Sequence, residues 1–409
     1  MRRLRLIGVA LLAAAGMFVA GCTSTVLPVV SPDEASIGDT VLAIRLSPQL
    51  RQINEGADDG YLLLVDQKGS ARAVNVGAMD DGGLLWSDAG LFLAGPTDEL
   101  VLADDGLTAI ARGSHEVIES VRFLAPDTEG FIAVYNSGFT DEGYLHRVAA
   151  GGVSRVETWD VEGLFGSISQ CEDVVVGITD LSETSLIAAD AGTEFDALMQ
   201  LYPQPESAES GVLGTLPVDG AFEFEDVAQS APCIDDVIYA VAFHYDTDDG
   251  TSPGSPVLRV WDTTTGEHSV LPLVNKSGEK LVVTLDDLSH NPGTVIDRTT
   301  YVWVDWCCDS SPARVLATDL TTGVTTHRFD LALSSPEMGE SQFVFTESSI
   351  FVLDVNQDIG AALDFSRYDL ATGERADLFT ITGTGSVHDG LEMVIRDIAI
   401  APDWLKVNE

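Results

Sequence analysis

A β-hairpin with the turn sequence Asp-x-x-Thr-Gly occurs three times in the C-terminal half of the chain, at 262–266, 319–323 and 369–373. In each copy, strands of alternating apolar and polar residues flank the turn, which is typical of a hairpin with one buried face. The Asp side chain can accept backbone hydrogen bonds within the turn, and Gly supplies a positive φ. The turn glycines are 57 and 50 residues apart. This spacing indicates a repeated unit as long as a four-stranded propeller blade.

Weaker copies of this unit continue toward the N-terminus. They turn at Lys68-Gly69, Asp104-Asp105-Gly106 and Gly151-Gly152, and a more degenerate copy spans 197–216. The first unit is incomplete, and we expect segments 41–46 and 393–401 to complete it, because that pairing leaves no sheet edge exposed. The sequence therefore predicts an all-β fold, a β-propeller of about seven four-stranded blades closed by strands from both chain ends.

The hairpins also carry a family likeness. The Trp261-Asp262 dipeptide and the Asp-Leu-x-Thr-Gly turns at Asp319 and Asp369 resemble the blade hairpins of WD40-like and YVTN-like bacterial propellers. The resemblance covers about 41–401 and implies architecture, namely a scaffold with a central channel and faces built from loops. It implies no activity, because such folds host many unrelated functions.

The first 22 residues have the pattern of an export signal. Arg2, Arg3 and Arg5 precede an apolar run at 6–18 that is too short to span a bilayer. The run ends in Val19-Ala20-Gly21-Cys22, which resembles the lipobox of bacterial lipoproteins. This resemblance implies that Cys22 is acylated, for example with palmitate, and becomes the first residue after cleavage. The alternative is an ordinary signal peptide with a cysteine at that position by chance.

These features divide the chain into a signal peptide at 1–21, a lipid-anchored tether at 22–39 and a propeller domain at 40–409. The tether is expected to be extended and unpacked, because it is rich in Pro and small polar residues. We therefore expect the protein on the extracytoplasmic face of the cell membrane, held by its N-terminal lipid. The formal net charge of −44 argues against nucleic acid as a partner, since that binding needs Lys and Arg to neutralise phosphates.

One acidic hairpin is a candidate calcium site. Asp354, Asn356 and Asp358 alternate along it, and Asp364 follows, and alternate oxygens on a tight loop can cage Ca²⁺. The match to known calcium loops is imperfect, because Ile359 stands where an EF-hand has Gly. A solvated acidic hairpin without metal is the alternative.

Four cysteines follow Cys22. Cys171 and Cys233 occupy similar positions in neighbouring units, each just before an Asp and an aliphatic strand. We predict a disulfide between them, since equivalent positions of adjacent blades can lie close together. Cys307 and Cys308 are adjacent, which leaves a strained vicinal disulfide or two free thiols.

Enzyme motifs are weak. A Gly-x-Ser-x-Gly match at 250–254 lies in a hairpin loop with Pro253 directly after the serine, so it lacks the strand and helix that a nucleophile elbow needs. The favoured hypothesis is a non-catalytic scaffold that binds a protein or another envelope component. The alternative is an extracellular propeller hydrolase or lactonase whose metal sits in the central channel, as in some enzymes that this fold resembles.

Overall fold

The strands of the chain form seven sheets, each built around four strands in antiparallel order. The computed structural model describes residues 26–126, 129–140, 143–181, 184–186, 195–217, 222–223, 229–244, 255–283, 293–305, 313–333, 341–356, 362–387 and 393–409. The first strands of several adjacent sheets contact one another, as expected for blades around a central axis. The predicted all-β, seven-bladed propeller is confirmed.

Blades are numbered here along the chain, with strands given from the centre outward. Blade 1 contains Met393–Ile400, Thr40–Pro48, Tyr61–Asp66 and Ala71–Asn75, with Val29–Val30 at its outer edge. Blade 2 contains Leu84–Ser87, Gly90–Ala94, Asp98–Ala103 and Gly106–Ala111. Blade 3 contains Glu119–Leu124, Gly130–Thr140, Gly143–Gly152 and Arg155–Glu162. Blade 4 contains Leu164–Cys171, Val174–Asp180, Phe195–Tyr202 and Val212–Pro217.

The remaining three blades follow the same order. Blade 5 contains Val237–His244, Ser255–Asp262 and His268–Pro272, with Phe222–Glu223 and Cys233–Ile234 sharing its innermost position. Blade 6 contains Gly293–Ile296, Thr300–Asp305, Ala313–Asp319 and Thr325–Leu331. Blade 7 contains Ser341–Phe345, Ser349–Asn356, Ala362–Asp369 and Arg375–Ile381. The helices are short: Pro32–Glu34, Leu50–Asn54, Ala208–Gly211, Thr384–Val387 and Pro402–Asn408.

Strands from both chain ends close the ring in blade 1. Met393–Ile400 pairs in antiparallel register with Thr40–Pro48, for example Ala43 with Ala399. The N–H of Ala401 then donates to the carbonyl of Val41 over 2.9 Å. The predicted closure is confirmed, and it removes two sheet edges that would otherwise be open to another chain.

The described part of the predicted tether is packed on blade 1, which corrects the expectation of an extended spacer. Val29–Val30 pairs in parallel with Ala73 and Val74 of the outermost strand. Leu27 and Ala35 are buried, so residues 26–39 belong to the folded domain. Apolar side chains at these positions gain more from burial than the neighbouring Pro and Ser residues lose by being ordered.

The core is a ring of seven apolar clusters, one between each pair of neighbouring blades. Alternation along a strand produces this arrangement, because successive side chains point to opposite faces. In blade 2, Leu91 and Leu93 pack toward blade 1 whereas Phe92 packs toward Phe131 of blade 3. Each blade is therefore apolar on both faces.

The repeated turns have the chemistry that the sequence predicts. The carboxylate of Asp262 accepts from the N–H of Thr264 at 2.9 Å and of Thr265 at 2.8 Å. Asp319 and Asp369 accept in the same way from the N–H groups of the residues two and three positions after them. The hydroxyl groups of Thr321 and Thr372 also donate to Asp319 and Asp369. The pKa of these two carboxyl groups is lowered first by the threonine side chains and also by the backbone N–H groups, and that of Asp262 is lowered first by the N–H of Thr265. Gly266, Gly323 and Gly373 all have φ near +70°.

Candidate functional site

Three carboxylates from different parts of the chain meet near the innermost strands of blades 1 to 3. Asp397 lies on the first strand of blade 1, and Glu119 lies on the first strand of blade 3. Asp81 lies on the connection into blade 2, where it bridges to Ile118. We call Asp81, Glu119 and Asp397 the channel-side carboxylates.

Two glycines make room for this convergence. A β-carbon built on Gly83 would lie 3.5 Å from Glu119 Oε1 and 3.7 Å from Asp397 Oδ2. A β-carbon on Gly82 would lie 3.4 Å from Nε of Arg45. The connection between blades 1 and 2 therefore passes directly between charged side chains, and residues with larger side chains would push them apart.

The backbone holds two of the carboxylates. Asp397 accepts from the N–H of Leu84 over 2.6 Å and from the N–H of Ile398 over 2.7 Å. Asp81 accepts from the N–H of Gly82 over 2.8 Å. The Leu84 bond links the first strand of blade 1 to the first strand of blade 2, so Asp397 has a positioning role between blades.

Burial dominates the protonation of this group. It raises the pKa of Asp397 to about 7, against the effect of the two donated N–H groups. It also raises the pKa of Asp81 to about 7, and the negative charges of Glu119 and Asp397 add to the increase. The pKa of Glu119 is raised for the same reason, burial. As whole residues, Asp81 and Asp397 keep some accessible surface.

Buried arginines neutralise the neighbouring acids. Arg122 donates through Nε to Glu119 over 2.7 Å and through Nη2 to Glu99 over 2.8 Å. Glu99 also accepts from Arg112 at 3.0 Å and from the Tyr135 hydroxyl. The side chains of Arg112, Arg122, Glu99 and Glu119 are at most 1% exposed. Such a pairing is required, because an isolated charge in this setting would be very costly.

Arg45 extends the network into blade 1. It lies directly opposite Asp397 on the strand ladder and donates to the carbonyls of Ala94 and Gly77. Burial lowers its pKa to about 10. Arg45 stands in an otherwise apolar strand at 41–46. A charged residue inside an apolar run is the one sequence signal that could have revealed this network.

The predicted calcium residues are only partly described. Asp354 and Asp364 are directly opposite each other on adjacent strands of blade 7. Asp354 is buried and accepts from the Ser341 hydroxyl over 2.8 Å, and Asp364 accepts from the Thr380 hydroxyl over 2.6 Å. Asp358 and the side chain of Asn356 lie outside the described residues. Within the described ranges, no group of three or more His, Cys, Asp and Glu side chains is arranged to hold a metal ion.

The predicted cysteine pair is bonded. Cys171 ends the first strand of blade 4, and Cys233 begins the inner strand segment of blade 5. Their sulfur atoms form a disulfide across 62 residues of sequence. Gln229–Ser230, just before Cys233, pairs in parallel with the first strand of blade 4, so the same segment joins the two blades twice. Cys22, Cys307 and Cys308 lie outside the described residues.

Two clefts open on the same face of the propeller. This face carries, in each blade, the turns between the first and second strands and between the third and fourth strands, counted from the centre. The blade 1–2 cleft has a volume of about 650 Å³. It is lined by two indole rings, Trp86 and Trp404, and by the carboxylates of Asp39, Asp88, Asp104, Asp105 and Asp403. This lining repels anions. Two of these carboxylates form ion pairs within the protein: Asp39 pairs with Arg72, and Asp403 pairs with Lys406.

The blade 3–4 cleft has a volume of about 590 Å³. Trp159 of blade 3 and Tyr202 of blade 4 line it, together with charged and amide side chains and three glycines. The two aromatic rings are stacked, with centroids 6.2 Å apart and an interplanar angle of 28°. Sequence analysis missed this cleft, since its aromatic pair comes from two different blades.

Residues 36–202 match the family model for the YycP β-propeller domain, which is less than half of the chain. No curated protein matches. The chain is similar in structure to a selenium-binding protein from Sulfolobus tokodaii, with 8% identity, a TM-score of 0.47, and coverage of 88% of this chain and 93% of that one. It is also similar to the Pseudomonas brassicacearum lignostilbene dioxygenase, with 9% identity, a TM-score of 0.43, and coverage of 85% and 93%. At these values the likenesses say nothing about activity.

Within the described residues, no helix has both the length and the apolar character needed to cross a membrane.

Proposed function

We propose that the chain is a lipid-anchored binding propeller that acts as a non-catalytic scaffold at the extracytoplasmic face of the cell membrane. The observation that carries the binding role is the pair of clefts on one face, each lined by aromatic and polar side chains. Clefts of this size and lining are typical of ligand sites. The partner is another protein or a component of the cell envelope.

The bonding of the channel-side carboxylates supports a scaffold over an enzyme. Asp397 holds the first strand of blade 2, and Glu119 is engaged by Arg122. These contacts fix blades relative to one another. A general acid or base, in contrast, must be free to donate a proton to the substrate or to accept one from it.

The lipid on Cys22 would set the orientation of the propeller. Val29–Val30 is fixed to the outer edge of blade 1, and Val26 follows Cys22 by four positions. Four Cα-to-Cα steps span at most about 14 Å. The lipid would therefore hold the rim of blade 1 close to the membrane surface.

Labelling of the full chain with a palmitate analogue in a bacterial host tests the anchor. We expect label and membrane association in the wild type and neither in Cys22→Ser. The variant Ser24→Ala is the matched control, because it changes a residue close to Cys22 and keeps every cysteine, and it should still be labelled. Equal labelling of the Cys22→Ser variant would overturn the proposal.

One observation favours the second candidate, an extracellular propeller hydrolase or lactonase. The pKa values near 7 of Asp81 and Asp397 suit acid–base chemistry, and such values cluster at active sites. Thermal unfolding with Ca²⁺, Mg²⁺ or Zn²⁺ distinguishes three cases. If a cation raises the midpoint of unfolding and Asp354→Ala removes this rise, calcium binds in the blade 7 hairpin. If only Asp81→Asn removes the rise, the metal binds near the channel, which supports the hydrolase. Stabilisation by no cation argues against both metal sites.

A further inference from the structure

We infer that the blade 3–4 cleft binds a carbohydrate, with a sugar ring stacked on Trp159 and Tyr202. This inference rests on the proposed binding function and names a ligand class for it. Three features of the cleft support it: a fixed aromatic wall, a rim with both donors and acceptors, and a stretch of lining formed by glycine backbone.

The aromatic wall is held in place from behind. Trp159 lies on the outermost strand of blade 3, and its indole N–H donates to the carbonyl of Leu201 over 3.1 Å. Both rings also pack against the buried cluster between blades 3 and 4. A ring fixed on one side loses little freedom when a ligand covers the other side. The half-buried indole ring of Trp159 therefore offers a flat apolar surface to the cleft, with Tyr202 stacked on it, and this surface matches the C–H face of a pyranose ring.

The rim carries hydrogen-bonding groups of both kinds. Arg155 and Glu157 form an exposed ion pair beside the aromatic wall, and Ser154 and Gln204 also line the cleft. Arg155 offers only donors, Glu157 offers only acceptors, and the amide of Gln204 offers both. Each hydroxyl group of a sugar both donates and accepts hydrogen bonds, so a sugar is bound well by a rim that offers donors and acceptors. The presence of Arg155 disfavours a cationic ligand, and Glu129 and Glu157 disfavour an anionic one.

Part of the cleft lining is glycine backbone, because there is no space for side chains at two of these glycines. A β-carbon on Gly130 would lie 2.2 Å from the carbonyl oxygen of Gly151, and one on Gly151 would lie 2.1 Å from that of Arg155. With Gly152 these residues leave the cleft open between the aromatic wall and the rim. Its volume of about 590 Å³ is within the usual range for small-ligand sites.

The test measures binding of cellotriose, maltotriose and chitotriose to the full chain in a detergent without sugar groups. Each trisaccharide is titrated by calorimetry to about 10 mM, which is enough to detect millimolar affinity. We expect at least one to bind. Trp159→Ala should weaken that binding by about tenfold or more, and Trp159→Phe should keep most of it because a flat ring remains.

Two further variants make the test specific. Trp86→Ala removes an indole ring from the other cleft and should bind like the wild type. Ser154→Trp places a bulky group at an exposed position in the cleft, where it should block binding without disturbing the core. It therefore tests the site even if Trp159→Ala fails to fold.

Binding of none of the three sugars by the wild type would overturn the inference, and so would unchanged binding in Ser154→Trp. Loss of binding in Trp86→Ala alone would assign the sugar to the blade 1–2 cleft and would also overturn it. Labelling of Cys22 is independent of these outcomes, so the inference can fail while the proposed anchor stands.

Discussion

A β-carbon on Gly323 would lie 2.2 Å from the carbonyl oxygen of Pro272, which ends the outermost strand of the preceding blade. The same relationship joins Gly266 to Leu213 at 2.3 Å and Gly69 to Thr380 at 2.4 Å. The glycine of the repeated turn therefore has two roles. It adopts a positive φ within its own hairpin, and it lets the turn rest on the backbone of its neighbour.

Substitution of Gly323 should separate these two roles. Gly323→Ala introduces both backbone strain and a clash, and we expect it to lower the free energy of unfolding by about 3 kcal/mol. Gly278→Ala is the matched control, because Gly278 has φ +81° but nothing within 4 Å of the added carbon. It should cost about 1 kcal/mol. Equal losses in urea unfolding would show that the contact with Pro272 has no effect.

The buried ion network between blades 2 and 3 should depend on Glu99. Glu99→Ala leaves Arg112 and Arg122 without the carboxylate they share, and we expect a loss of about 3–5 kcal/mol in the free energy of unfolding. Glu157→Ala removes one partner of the exposed pair with Arg155 and should change stability by less than about 1 kcal/mol. A small effect of Glu99→Ala in thermal unfolding would mean that water enters the site and solvates Arg112 and Arg122.

Stability should respond to pH through Asp81. Its pKa is about 7 in the folded chain, above the ordinary value of 3.8, so between these values the folded state binds more protons than the unfolded state. This contribution to stability is complete below pH 4 and is lost as the pH rises to about 7. Asp81→Asn mimics the protonated form at every pH. The variant should therefore match the wild type near pH 4 and gain in midpoint temperature relative to it between pH 5 and 8.

Asp88→Asn is the control for this measurement, since it removes an exposed carboxylate from the blade 1–2 cleft. Its midpoint should follow that of the wild type in parallel across the same pH range. A constant difference between Asp81→Asn and the wild type from pH 5 to 8 would contradict the raised pKa.

The disulfide between Cys171 and Cys233 should contribute strongly to stability. It closes a loop of 62 residues, and by the chain-entropy argument its loss should cost about 4 kcal/mol. We expect Cys171→Ser to lower the midpoint of thermal unfolding, and we expect a reductant to lower that of the wild type by a similar amount. The variant itself should not respond to reductant. A response of equal size in Cys171→Ser would point to another reducible bond.

The hairpins and the blade count could be predicted from the sequence because they depend on local order. The ring closure could be predicted because the first unit is incomplete, so a strand from the other chain end is needed to cover its open edge. The alternation of apolar and polar residues indicates each strand. The Asp and the Gly of each turn, which lie within five residues of sequence, indicate the geometry of that turn. The cysteine pair was predictable for a related reason, since Cys171 and Cys233 occupy equivalent places in a repeat. The packing of residues 26–39 was not, because apolar residues such as Leu27 and Ala35 are few among polar ones and their burial depends on contacts with the folded blades.

The sequence by itself thus determined the repeating unit, its number and the way its ends meet. Only the tertiary structure brought Asp81, Glu119 and Asp397 together, since they are separated by up to 316 residues and none belongs to a motif. Their pKa values follow from burial and from each other's charge, which are properties of the packed blades. The stacking of Trp159 on Tyr202 has the same origin, because a cleft between blades exists only once neighbouring sheets are in place.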